Sequence, residues 1–130
     1  MDEAASICNQ FDAVLPLPRN GIESADLYAA AVLLGDPVNV ALGATDVIDE
    51  GVWLDSTGSK LTYFNWPPTE PNNANGAEHY LHFHQPWKVE DGKWNDHVGS
   101  FTTSVICEKP DGKFRKKIKS DFLQTKNFIL

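Results

Sequence analysis

The sequence predicts an α+β domain: two helices, then a mostly antiparallel sheet with a long irregular loop let into it. Three observations carry this reading. Apolar residues recur at helical spacing before residue 36, and short extended apolar runs separated by polar turns follow residue 38. Residues 65–77 hold too many prolines and asparagines to sustain a helix or a central strand. The chain has 130 residues, 42% hydrophobic and 22% charged, which suits one folded domain.

The first helix is expected over residues 3–13, with Ala4, Ile7, Cys8 and Phe11 on one face. Val14 to Pro18 is a brief extended segment closed by prolines. Asn20 reads as the N-cap of a second helix, and Glu23, three residues on, as its capping-box acid. That helix would turn Ala25, Leu27, Tyr28, Ala31, Val32 and Leu34 inward and stop at Gly35, ahead of Pro37. Strands are expected at Val38, Val40 and Leu42 and at Val52-Trp53-Leu54. The loop at 65–77 follows; Trp66 and the prolines mark it as ordered, and long loops inside compact domains commonly serve function. Further strands are expected from His79 to His84 and from Phe101 to Cys107, with Asp91-Gly92 as the hairpin turn between them. Phe114, Ile118 and Phe122 recur every four residues among basic side chains, the pattern of an amphipathic basic helix.

Charge divides the chain. It carries 11 basic and 18 acidic side chains, net −7. Only Arg19, Lys60, Lys88 and Lys93 are basic before residue 109, so the body (residues 1–110) repels nucleic acid and attracts cations. The tail (residues 111–130) is basic and electrostatically separate. The longest apolar run, Ala29 to Leu34, is too short for a transmembrane helix, and the acidic Met1-Asp2-Glu3 is unlike the start of a signal peptide. Cys8 and Cys107 have neither zinc-finger nor redox Cys-x-x-Cys spacing; they are either buried thiols or one disulfide closing nearly the whole body.

Catalytic signatures are missing: there is no nucleophile elbow, phosphate loop or His-Glu-x-x-His. Asp96 and His97 would face opposite sides of a strand and make a poor dyad. His82 and His84 would share a strand face, but two ligands close no zinc site, so the histidines are expected to be exposed strand residues. Trp53, Trp66 and Trp94 are expected to support the core and the loop. The oxygen donors are more informative. Glu70 and Asn72 flank Pro71, Glu78 ends the loop, and Asn95-Asp96 follow Trp94. Five such side chains and a backbone carbonyl nearly fill the shell of a hard cation such as calcium, leaving room for an outside ligand. The bland alternative is that Asn and Asp simply make turns.

The ordered series from Cys8 through Leu15-Pro16-Leu17-Pro18, Leu42-Gly43, Glu50-Gly51-Val52-Trp53-Leu54, Asn65-Trp66, Glu70-Pro71-Asn72 and Trp94-Asn95-Asp96 to Cys107 resembles the C-type lectin-like domain. Its Glu-Pro-Asn is that of the calcium-dependent mannose-binding kind. The resemblance implies that Glu70, Asn72, Glu78, Asn95 and Asp96 are both calcium ligands and carbohydrate-binding residues, that Pro71 is cis, and that Cys8 pairs with Cys107 in a disulfide. It implies glycan partners with terminal mannose-type sugars (mannose, glucose, N-acetylglucosamine, fucose), an extracellular setting and no enzymatic activity. The alternative is a lectin-like protein-interaction module without useful sugar binding.

Departures from the pattern matter. The family's loop disulfide would fall at Tyr80 and Gly99, which are not cysteines. The auxiliary metal positions keep Asp46, Glu50 and Glu78, while Asn73 and His79 replace acids. The core motif reads Ala41-Leu42-Gly43-Ala44, losing a large side chain. The resemblance also implies a first strand ahead of the first helix: either that strand belongs to a longer precursor, or a sheet edge is left for the tail around Phe114 to Leu130 to cover.

Overall fold

The computed structural model describes residues 3–33, 40–83, 92–99, 104–109 and 127–129. Helix α1 spans Glu3–Asn9 and α2 spans Gly21–Leu33; strands follow as β1 (Ala41–Thr45), β2 (Leu54–Asp55), β3 (Tyr80–Phe83), β4 (Trp94–His97), β5 (Ser104–Ile106) and β6 (Asn127–Ile129). The main sheet has the order β2-β1-β3-β4 and is antiparallel throughout; β5 and β6 form a separate parallel pair. The predicted α+β class stands.

The start of α2 follows its sequence signal. Asn20 Oδ1 accepts the Glu23 N–H at 2.9 Å, and the Glu23 carboxylate reaches back to the Arg19 N–H at 2.7 Å. The reciprocal bond therefore lands one residue earlier than in the standard box. Helix α1 ends at Asn9, short of residue 13, and its chain leaves through turns that bond back to Ile7, Cys8 and Asn9. Val38, the helix stop at Gly35 and the proposed tail helix lie outside the described residues.

Two apolar clusters organise the interior. Leu27 and Ala31 of α2 pack on Leu42, Ala44, Leu81, Phe83 and Trp94 of the sheet, with Trp53 and Ile106. Ala4, Ile7 and Cys8 of α1 pack with Ala13, Ala41, Val105 and Cys107. The Cys8–Cys107 disulfide, with Cα atoms 5.4 Å apart, crosses this second cluster. That resolves the two readings of the cysteines in favour of the bridge. Beside it, Val14 and Glu108 exchange both backbone hydrogen bonds at 3.0 and 2.8 Å. Gly43 is required where β1 passes the Leu15 segment, since a Cβ there would lie 2.6 Å from the Leu15 carbonyl oxygen.

The hairpin after the long loop differs from expectation. The partner of β3 is β4, four residues with no strand signal of their own in the sequence; Tyr80 pairs with His97, Leu81 with Asp96, His82 with Asn95 and Phe83 with Trp94. The segment ending at Cys107 instead forms β5. Its partner is the tail: β6 runs parallel to it, Ser104 beside Asn127 and Ile106 beside Ile129. Among the described residues no helix is long and apolar enough to cross a membrane.

Candidate functional site

The loop from Leu61 to Ala77 is held against the sheet by aromatic packing and by one asparagine. Trp66 meets Trp53 at 5.4 Å and Trp94 at 6.1 Å between ring centroids, and Tyr63 meets Trp94 edge-on at 5.4 Å. Trp53 and Trp94 are buried, as expected. The Asn65 carbonyl accepts the Trp94 N–H at 2.9 Å, and its side-chain amide donates to the Gly92 carbonyl at 2.8 Å. The loop therefore enters alongside β4 and carries Glu70-Pro71-Asn72 to the strand's end.

Asp96 is the post to which the loop is tied. On β4, alternation sends Trp94 and Asp96 to the core face, and both are buried. The Asp96 carboxylate accepts the Asn72 N–H at 3.0 Å on one oxygen and the Asn73 N–H at 2.6 Å on the other. Asn72 Nδ2 donates to Glu70 Oε1 at 2.9 Å. The Glu70–Pro71 bond is cis, as the resemblance implies. Glu78 closes the loop: its Oε2 accepts the Ala74 N–H at 3.0 Å, and its own N–H donates to Asn73 Oδ1 at 3.1 Å. Asn73 and Asn75 adopt left-handed backbone, with φ of 43° and 58°, conformations asparagine tolerates better than most residues.

These carboxylates crowd one another. Burial first, then the neighbouring Asp96 and Glu78 charges, push the Glu70 carboxyl up to about 7, while the Asn72 amide pulls the other way. Like charges gathered at the partly buried end of a loop favour a counter-ion, and a set of carboxylate and amide oxygens suits a hard cation. Glu70, Asn72, Glu78 and Asp96 are thus linked by hydrogen bonds or charge. Asn95 joins them only by its place on β4. It is half-buried, and alternation puts it on the face of His82, its partner across the ladder.

Two features were missed by the sequence reading. His82 is buried rather than exposed (3% accessible), stacks on His97 at 4.7 Å, and is pushed down to about 3 by burial and then by the His97 ring. The positions of the absent loop disulfide have become a matched pair. A Cβ on Gly99 would lie 2.4 Å from the Tyr80 ring, so the tyrosine occupies the space the glycine leaves. Gly99 also has φ of +71°, which favours glycine on its own account.

The Lectin C-type domain profile matches residues 1–109. The chain belongs to this family. It is 35% identical over 107 residues to perlucin of Haliotis laevigata, covering 82% of this chain and 68% of that protein. It is equally identical over 106 residues to pulmonary surfactant-associated protein D of Bos taurus, covering 82% of this chain but only 27% of that protein. Among solved structures, the C-type lectin CEL-I of Cucumaria echinata superposes with a TM-score of 0.65 at 25% identity, over 74% of this chain and 72% of that one. The cow carbohydrate-recognition domain of CD23, solved in the presence of a GlcNAc2Man3 oligosaccharide, gives 0.63 at 24% identity, over 77% and 70%. The domain is therefore a carbohydrate-binding module of a non-enzymatic family that generally binds calcium.

Proposed function

We propose that this C-type lectin domain binds glycans with terminal mannose-type sugars in a calcium-dependent way, outside the cell. Glu70, Asn72, Glu78, Asn95 and Asp96 would hold the ion. Bound there, calcium supplies open coordination positions for two vicinal sugar hydroxyls. The chain's own groups complete the recognition: the Asn72 and Asn95 amides donate to those hydroxyls, and the Glu70 and Glu78 carboxylates accept from them. Glu70 before Asn72 is the order that the family pairs with mannose, glucose, N-acetylglucosamine and fucose. A disulfide across nearly the whole body suits an oxidising compartment. The boundary between a lectin body at 1–110 and a basic tail at 111–130 belongs to the same proposal, with β6 as the point where the tail returns to the body.

The observation that carries this reading is the cluster at Asp96, whose carboxylate accepts two loop amides, and beside which Glu70, bonded to Asn72 and facing the Asp96 and Glu78 charges, is lifted to about 7. A single open site binds a monosaccharide only in the millimolar range, so useful avidity requires several sites held together. The test is retention on mannose-agarose in millimolar calcium, elution by chelator, and competition by mannose but not galactose. Protons compete with a cation for Glu70, so retention should weaken as the pH falls below about 7. The place of Asn95 on the His82 face favours a second reading, a protein-interaction module without useful sugar binding. An Asn95→Ala variant that binds calcium as tightly as the parent, with no mannose retention in either, would select it.

A further inference from the structure

A second cluster lies where the end of β1 meets the start of β3, next to the residue that closes the loop. Asp46, Glu50 and His79 bring one donor atom each within 4.8 Å of one another. His79 Nδ1 is 3.1 Å from Asp46 Oδ1 and 3.4 Å from Glu50 Oε2. The Asp46 carboxylate is buried, and its second oxygen is fixed by the Gly51 N–H at 2.8 Å. Main-chain bonds hold the histidine in place. Its carbonyl accepts from the Asp46 N–H at 3.2 Å and the Thr45 hydroxyl at 2.6 Å, and its N–H donates to the His97 carbonyl at 3.1 Å. Sequence reading assigned this neighbourhood to an auxiliary metal at Asp46, Glu50, Asn73 and Glu78. In the structure Asn73 and Glu78 bond to each other and to Ala74, and the His79 ring, at a position where the family has an acid, lies beside Asp46 and Glu50.

We propose that Asp46, Glu50 and His79 bind a first-row divalent transition metal, zinc in the first instance, and do not bind calcium. The argument starts with the donor set. An imidazole nitrogen is an ordinary ligand for zinc and its neighbours, whereas calcium takes oxygen. A neutral imidazole with two carboxylates presents two negative charges to a dication. The spacing agrees. Tetrahedral zinc with bonds near 2.0–2.1 Å has ligand-to-ligand edges of about 3.3 Å, and the two observed separations from Nδ1 fall on either side of that value. The site is also anchored and accessible. The Gly51 N–H orients the buried Asp46, as outer-shell partners do at metal sites. The His79 and Glu50 side chains are 30% and 54% exposed, which gives the ion a path in and a water the fourth position. None of this depends on the Glu70–Asp96 reading.

The test is calorimetric titration of zinc into the full chain, stripped of metal and held without calcium. One site of micromolar affinity is expected. His79→Gln and, separately, Glu50→Gln should each weaken it by about tenfold or more. Millimolar calcium should leave it in place. Glu50 is exposed, so its variant keeps the test open even if His79→Gln folds poorly. Zinc binding unchanged in both variants, displacement of zinc by calcium, or no zinc uptake below millimolar would each overturn the proposal. Mannose retention reports on the other site, so the two readings fail independently.

Discussion

Around Cys8 and Cys107, α1 and the residue that follows β5 are joined by a covalent bond that closes 99 positions of chain, with an apolar cluster packed about it. Around Tyr80 and Gly99, the binding end has no such bond. There a ring seated on a glycine, two loop amides on Asp96 and a cluster of edge-on and tilted tryptophans do the fastening. The first fastening acts mainly on the unfolded chain and is indifferent to ions. The second acts only in the folded state and includes a group of like charges that a cation would relieve. Scaffold stability and site order should therefore respond to different perturbations.

The largest effect is expected from Cys8→Ser with Cys107→Ser. Loss of a bridge this long should lower stability by about 4–5 kcal/mol in the loop-entropy account. Calorimetry should show a large fall in Tm, with calcium affinity of the folded fraction unchanged. A parallel loss of affinity would mean that the two ends are not separable. Gly99→Ala comes next. Its Cβ would meet the Tyr80 ring at 2.4 Å on a backbone with φ of +71°, a strain of about 1–3 kcal/mol. Here calcium affinity should fall together with Tm, and Tyr80→Ala in the same chain should recover part of both.

The smallest effect is in pH and arises from two opposed titrations. His82 is held near 3 when folded against an ordinary 6.5, so its share of stability is complete above 6.5 and is lost as pH falls toward 3. Glu70 is raised from 4.5 to about 7, so its share in the metal-free protein is complete below 4.5 and is lost as pH rises through 7. Between pH 4.5 and 6.5 the two oppose each other, which makes the metal-free Tm change less with pH than either group alone would. Glu70→Gln should make Tm rise with pH across this window, and His82→Gln should make it fall. The slope left by His82 should be on the order of 1 kcal/mol per pH unit, and the slope left by Glu70 smaller, since solvent screens that half-exposed group. Identical slopes in both variants would show that neither group controls the window.

Much of this was legible in the sequence where the signal is local. The Asn20–Glu23 cap, the class of the fold and the loop at 65–77 all depend on residues a few positions apart. The site residues and the disulfide came from motif order, since nothing in composition separates Glu70 from any other loop acid. What escaped were features set by neighbours distant in sequence. Trp-Asn-Asp-His is too short and polar to announce β4, and only its pairing with β3 makes it a strand. His82 looked exposed because alternation cannot show that both faces of β3 are covered. His79 meets Asp46 and Glu50 only because β1 and β3 lie side by side.

The position of the one disulfide has a further consequence for redox conditions. Its sulfurs belong to the α1–β5 cluster, and no cysteine stands among the groups that would face a sugar or an ion. Reductants can therefore unfasten the frame but have no bond to cut in the recognition loop. A freshly reduced sample that is still folded should capture its ligand as the oxidised one does, and thiol exposure would shorten the lifetime of the domain without altering its selectivity.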